Sequence, residues 1–148
     1  MSADDEIRRV LDSRRAAISA KAADASIENL AEDVVLFDLA PPLAQSSTDA
    51  RDPAQAQKWF DTWDGPIAIE INDLVVRAEG DTAFAFGLLH MSGNRTDGSQ
   101  SDFWCRTTVC LERRAGKWRI VHEHNGFPML MDGSGKAASD LRPETSID

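Results

Sequence analysis

The stretch Lys117 to Asn125 holds the side chains best suited to proton chemistry. His122 and His124 stand at i, i+2, so an extended strand places both imidazoles on one face with Trp118 and Ile120, and Arg119, Val121 and Glu123 on the other. Imidazole has the ordinary pKa nearest neutrality, which suits an acid or a base. The pair also fits a plain structural use, one ring hydrogen-bonded in a core and the other at the sheet rim. Just upstream, Trp104, Arg106 and Thr108 alternate with Phe103, Cys105 and Thr107, and the second set is the more apolar. If the first set looks into a cavity, Arg106 is a ready partner for a carboxylate or an oxyanion. On an exposed face it would pair with Asp102 or Glu123 instead.

Asp38 follows Phe37 where a short apolar run stops at Pro41-Pro42. A carboxylate at a strand end beside aromatic surface suits a general base, although such aspartates also simply cap turns. His90 shares its alternation with Phe84, Phe86 and Leu88. Asp38, His90, His122 and His124 together have the donor types of a zinc site. A lone His-x-His without a Cys or HExxH pattern does not assign one, so no metal and no cofactor is expected. A metal-dependent hydrolase or oxygenase rests on the three histidines alone. The chain has no tyrosine, no Gly-x-Ser-x-Gly elbow and no phosphate-binding glycine loop.

The elements that must position these residues follow from periodicity and punctuation. Ser2 reads as an N-cap, and Ile7, Val10, Leu11 and Ile18 give an amphipathic helix over about 3–21. A shorter helix is expected over about 24–31, then a strand at 34–37, then polar loop from Ala44 to Arg51. Asp52-Pro53 is an N-cap followed by an N1 proline. The helix it opens presents Ala56, Trp59, Phe60 and Trp63 on one face and closes at Gly65-Pro66. Everything beyond reads as sheet: Ile67 to Val76, 82–92, 101–113 and 117–125, joined by short turns and therefore an antiparallel meander. Helices first and strands last is an α+β pattern. One domain over 1–128 is expected, with a Gly-rich, partly ordered tail over 129–148.

Size and charge narrow the partners. The 148 residues suit one domain, and 42% hydrophobic residues allow a real core. Sixteen Lys and Arg against 25 Asp and Glu leave a net charge of −9, which repels polyphosphates and anionic lipid, so neither nucleic acid nor membrane is an expected partner. No apolar run is long enough to span a bilayer, and Met1 to Arg9 lacks a signal-peptide pattern. Cys105 and Cys110 are five apart on one strand and cannot bridge, which fits a reducing cytoplasm.

The order of elements resembles the nuclear transport factor 2-like superfamily, in its SnoaL-like, ketosteroid isomerase-related branch. The resembling residues are Asp38-Leu39-Ala40-Pro41-Pro42-Leu43, Trp104-x-Arg106-x-Thr108, and Trp118-x-x-x-His122-x-His124 with Pro128. The resemblance implies a cone, three N-terminal helices packed into a strongly curved, mostly antiparallel sheet around an apolar pocket, usually as a homodimer. On that pattern Trp59, Trp63, Phe84 or Phe86, Trp104 and His122 would wall the pocket, with His90, Thr108 and His124 as further ligand contacts. Asp38 stands near the place of the isomerases' general base, so the resemblance implies catalysis by Asp38, His122 and Arg106 on a small apolar carbonyl or carboxylate compound. Those isomerases stabilise their enolate with a tyrosine and a protonated acid. This chain offers Arg106 and Thr108 instead, so steroid isomerisation is not implied. The fold also serves non-catalytic association modules.

Overall fold

A computed structural model describes residues 1–144. Helix α1 (Ala3–Ser19) starts where Ser2 accepts the amide of Asp5, with Asp4, Asp5 and Glu6 against the positive helix end. It buries Ile7, Leu11 and Ala17. Helix α2 (Ala23–Ile27) is short, because β1 (Leu30–Phe37) begins well before the expected strand. The polar segment after it forms one helical turn, α3 (Ser47–Ala50), capped by Ser46. Helix α4 (Pro53–Phe60) begins on the Asp52 cap and ends before Trp63, which opens β2 (Trp63–Glu79). The strands β3 (Thr82–Arg95), β4 (Gln100–Arg114) and β5 (Lys117–Gly126) complete the sheet.

The sheet order is β1-β5-β4-β3-β2. The meander β2 to β5 is antiparallel, and β1 lies parallel beside β5. The architecture is α+β, with the helices against one face of a mostly antiparallel five-stranded sheet; the described residues form four helices where three were expected, α3 being a single turn. Pro66 sits inside β2 without breaking a ladder because β2 is an edge strand and its register shifts between Asp64 and Ala68.

The main core joins Ile7 and Leu11 of α1 to Leu30, Val34 and Leu36 of β1, Ala83 and Ala85 of β3, Val109 and Leu111 of β4, and Trp118 and Ile120 of β5. Small residues on β3 serve close packing of this layer, and Ala83 and Ala85 are buried in the core. At Gly87 a Cβ would meet Ile71 Cγ2 at 2.6 Å and the Asn72 carbonyl oxygen at 2.8 Å, beside the second register shift of β2. A second cluster joins Phe60, Trp63 and Ile67, with Ile18 and Met91 against it. There the Trp63 ring lies on Gly93, where a Cβ would meet Trp63 Cζ3 at 2.9 Å.

After Pro128 the chain turns back on itself. Met129 bridges Ala137, Ala138 is buried, and Arg142 reaches Asp102 of β4 at 3.1 Å. Residues 145–148 of the expected tail lie outside the described residues. Among the described residues no helix is long and apolar enough to cross a membrane.

Candidate functional site

Between the helix layer and the sheet lies a cavity of about 470 Å³. Its apolar wall comes from Ile18 of α1, Leu36 of β1, Trp59 and Phe60 of α4, Trp63 and Ile69 of β2, Leu89 and Met91 of β3, and Phe103 and Cys105 of β4. The loop Leu39 to Pro42 forms part of its rim. The polar contributors include Arg14, Asp49, Arg95, Glu123 and Asn125, together with Asp38.

Asp38 directly follows β1. Its Oδ1 accepts the Leu39 amide at 2.7 Å and the Asn125 Nδ2 at 3.3 Å. Both bonds fall on one oxygen, so among the described residues Oδ2 has no protein donor. The Asn125 Oδ1 is buried and without a partner there. From α1, Arg14 Nη1 donates to Glu123 Oε2 at 2.6 Å. Arg95 stacks its guanidinium over Trp63, with Cζ 4.1 Å from the ring centroid, and donates to Thr62 Oγ1 at 2.7 Å. Burial, with the Asp38 and Glu123 carboxylates adding to it, pushes the Cys105 thiol up to about 12, so this cavity-lining sulfur is a neutral wall atom at physiological pH.

Of the residues expected at the pocket, Asp38, Trp59 and Trp63 line the cavity. Phe84, Phe86, His90, Trp104, Arg106, Thr108, His122 and His124 do not. The register pairs Phe84 with Cys110, Phe86 with Thr108, His90 with Trp104, and Thr108 with His124, all on the outer face of the sheet. Asp38, His122 and Arg106 are thus not brought round one volume.

The physical reason is a register shift in the last strand. Cys110 pairs with His122 but Leu111 pairs with Ile120, so one residue is extra on β5. Alternation carries Trp118 and Ile120 inward, the extra residue resets it, and Glu123 and Asn125 then point inward while His122 and His124 point out. On β4 the more apolar alternate set, Cys105, Thr107, Val109 and Leu111, is the buried one.

The outer-face histidines are occupied with neighbours. His122 Nδ1 donates to the Val35 carbonyl at 2.6 Å, and Phe37 meets both rings edge-on. His90 stacks on Trp104 with centroids 4.5 Å apart, and bonds Asp102 at 2.7 Å and Glu70 at 3.2 Å. Desolvation pulls its pKa down, but those two carboxylates raise it above the ordinary value on balance. Among the described residues no three His, Cys, Asp or Glu side chains form a metal-binding group, and Asp38 stands on the opposite side of the sheet from the histidines.

Arg14, Glu123 and Asn125 were not singled out by the sequence. A signal for Arg14 exists: it falls at i+3 from Leu11 and i−4 from Ile18, a charge on the apolar stripe of α1.

Comparison with known proteins places this geometry. The SnoaL-like domain family matches residues 7–130. A structure of an NTF2-like protein of unknown function from Pseudomonas putida KT2440 is 30% identical, covering 97% of this chain and 99% of that one, with a TM-score of 0.82. A putative calcium/calmodulin dependent protein kinase II association domain from Xanthomonas campestris is 22% identical over 84% of this chain and 87% of its own, with a TM-score of 0.71. A ketosteroid isomerase-like protein from Erwinia carotovora atroseptica SCRI1043 is 20% identical over 82% of this chain and 92% of its own, with a TM-score of 0.68. The last two likenesses are of fold. A search of curated proteins found no match.

Proposed function

As the chain belongs to the SnoaL-like domain family, we propose that it is a small-molecule cavity protein in which Asp38 takes a proton alpha to the carbonyl of a small apolar compound. The observation that carries this reading is the Asp38 carboxylate on an aromatic-lined cavity, held through Oδ1 by Leu39 and Asn125 with Oδ2 free. A carboxylate fixed through one oxygen presents the other in a defined direction, which is what a general base needs. Isomerisation, cyclisation and elimination all begin with this step. The ligand class that fits the wall is a small apolar carbonyl or carboxylate compound.

The test is solvent exchange. With 2-acetylnaphthalene in D₂O, the wild type is expected to accelerate deuteration of the acetyl group, read by proton NMR. Asp38→Asn is expected to slow that exchange by about 100-fold or more. Exchange no faster than in buffer would remove the proton-transfer reading.

A second reading, a non-catalytic association module, is favoured by the outer face of the sheet. Phe37, Phe84 and Phe86 are 38%, 46% and 42% exposed there, with Val35 beside them. Such a patch suits a second copy of the chain, and a homodimer also fits the catalytic reading. Phe86→Lys is expected to weaken self-association by at least about tenfold in sedimentation equilibrium, leaving the circular dichroism spectrum unchanged. A wild-type monomer at all concentrations would remove the homodimer.

A further inference from the structure

Both cations on the cavity wall already have a carboxylate. Arg14 donates to Glu123 at 2.6 Å. Arg95 lies over the Trp63 ring, and its charge, behind the bonds from Ser99, helps to hold the Asp97 carboxyl below the usual carboxylate range. Two carboxylates on the wall have no such match. Asp38 and Asp49 line the cavity and are exposed, and among the described residues neither forms an ion pair. Asp38 is held by two neutral donors, the Leu39 amide and the Asn125 side chain. The Asp49 amide bonds Ser46, while its carboxylate has no hydrogen bond among the described residues.

The negative field reaches inward. At Cys105, on the wall, the Asp38 and Glu123 carboxylates add to the effect of burial in keeping the thiol protonated. Trp59 lines the same cavity, 39% exposed and edge-on to Trp63 at 5.7 Å, and among the described residues no protein cation lies over its ring. A positive group in this cavity gains from the unmatched carboxylates and from an open aromatic face. The net charge of −9 draws it in. An anionic group meets two like charges and no cation without a carboxylate of its own.

We infer that the ligand of this cavity is a cationic amine with an apolar body, its ammonium recruited by Asp38, Asp49 and the aromatic wall. Joined to the proton-transfer reading of Asp38, on which this further step rests, the substrate is an apolar amino ketone. The alpha C–H bond breaks and the proton goes to Asp38 Oδ2. The C–H electron pair forms the enolate double bond, and the carbonyl π pair moves onto oxygen. The ammonium of the substrate keeps its proton and supplies positive charge close to the enolate. Return of the proton from Asp38 to the same or another carbon closes the step with no oxidant or reductant.

The experiment is calorimetry at neutral pH with 2-naphthylmethylammonium, 2-acetylnaphthalene and 2-naphthoate, a cation, a neutral ketone and an anion on one ring system. The wild type is expected to bind the cation about tenfold more tightly than the ketone, and the anion most weakly. Asp49→Asn removes a charge that holds no hydrogen bond, so the fold should stand. It is expected to lose about fivefold in affinity for the cation and to leave the ketone unchanged. Asp38→Asn should weaken the cation in the same sense. The inference is overturned if naphthoate binds as tightly as the cation, if the ketone does, if none of the three binds at millimolar concentration, or if neither aspartate variant weakens the cation. Failure of the Asp38 reading shows elsewhere, as absent acetyl exchange in the wild type with the order of affinities intact.

Discussion

The two faces of this sheet hold their polar side chains in different settings. On the outer face His90 bonds Asp102 and Glu70, Asp102 bonds Arg142 and His122 bonds the Val35 carbonyl, while among the described residues Arg106, Thr108 and His124 stand exposed without a side-chain hydrogen bond. The inner face has no histidine, yet it keeps bonding capacity in reserve at Arg14 Nε, Asn125 Oδ1 and Asp38 Oδ2. On the inner face the unused atoms Arg14 Nε and Asn125 Oδ1 are buried, whereas Arg106 and His124 on the outer face are open to water.

The contrast can be broken or sharpened by experiment. The largest effect is expected at Cys105. With its thiol held near 12, alkylation by iodoacetamide at pH 8 should run about 1,000-fold slower than for free cysteine, measured by mass spectrometry of the modified peptide. Comparable rates would mean that the cavity side is open to water. Next comes packing. Ile120→Ala, at a fully buried position, should cost about 3 kcal/mol in urea unfolding, while His124→Ala on the exposed face should stay within about 1 kcal/mol.

The smallest effect concerns pH. Because the folded pKa of His90 is raised, its bonds to Asp102 and Glu70 stabilise the protein fully below the ordinary histidine value, near 6.5, and lose that contribution as pH rises through the folded value. The stability gap between wild type and His90→Gln should therefore shrink from pH 6 to pH 8, by less than about 1 kcal/mol for so exposed a cluster. A gap that widens with pH would contradict the assigned bonds.

Much of the fold was legible because its signals are local. Ser2 and Asp52 cap the helices they were expected to cap, and the short turns after Glu79 and Arg114 join antiparallel neighbours. The beginning of β1 at Leu30 was hidden, since Leu30 and Ala31 continue the helical spacing of Ile27 and Glu32-Asp33 interrupt the apolar strand signal before Val34. The site was less legible. Asp38 announces itself by the prolines that follow it, and Trp59 and Trp63 by their helical spacing. The inward set on β5 depends on one extra residue near Val121, and no local pattern in Arg119 to Asn125 reports such a shift. Alternation fixes which residues share a face, but not which face the helices will cover. Ala83 and Ala85, buried in one core cluster with Ile7 and Leu11 of α1, hold that second piece of information.

The parallel pairing of β1 with β5 has a consequence for how the protein comes into being. Val35 lies beside His122, 87 positions later in the chain. As the polypeptide leaves the ribosome, β2, β3 and β4 can zip to their immediate successors, whereas β1 waits for the last strand to be made. Leu30, Val34 and Leu36 have no complete core until then. The cavity draws Asp38 from the end of β1 and Glu123 and Asn125 from β5, so it is among the last features a newborn chain can assemble. A product that stops short of residue 126 should have hairpins but no pocket.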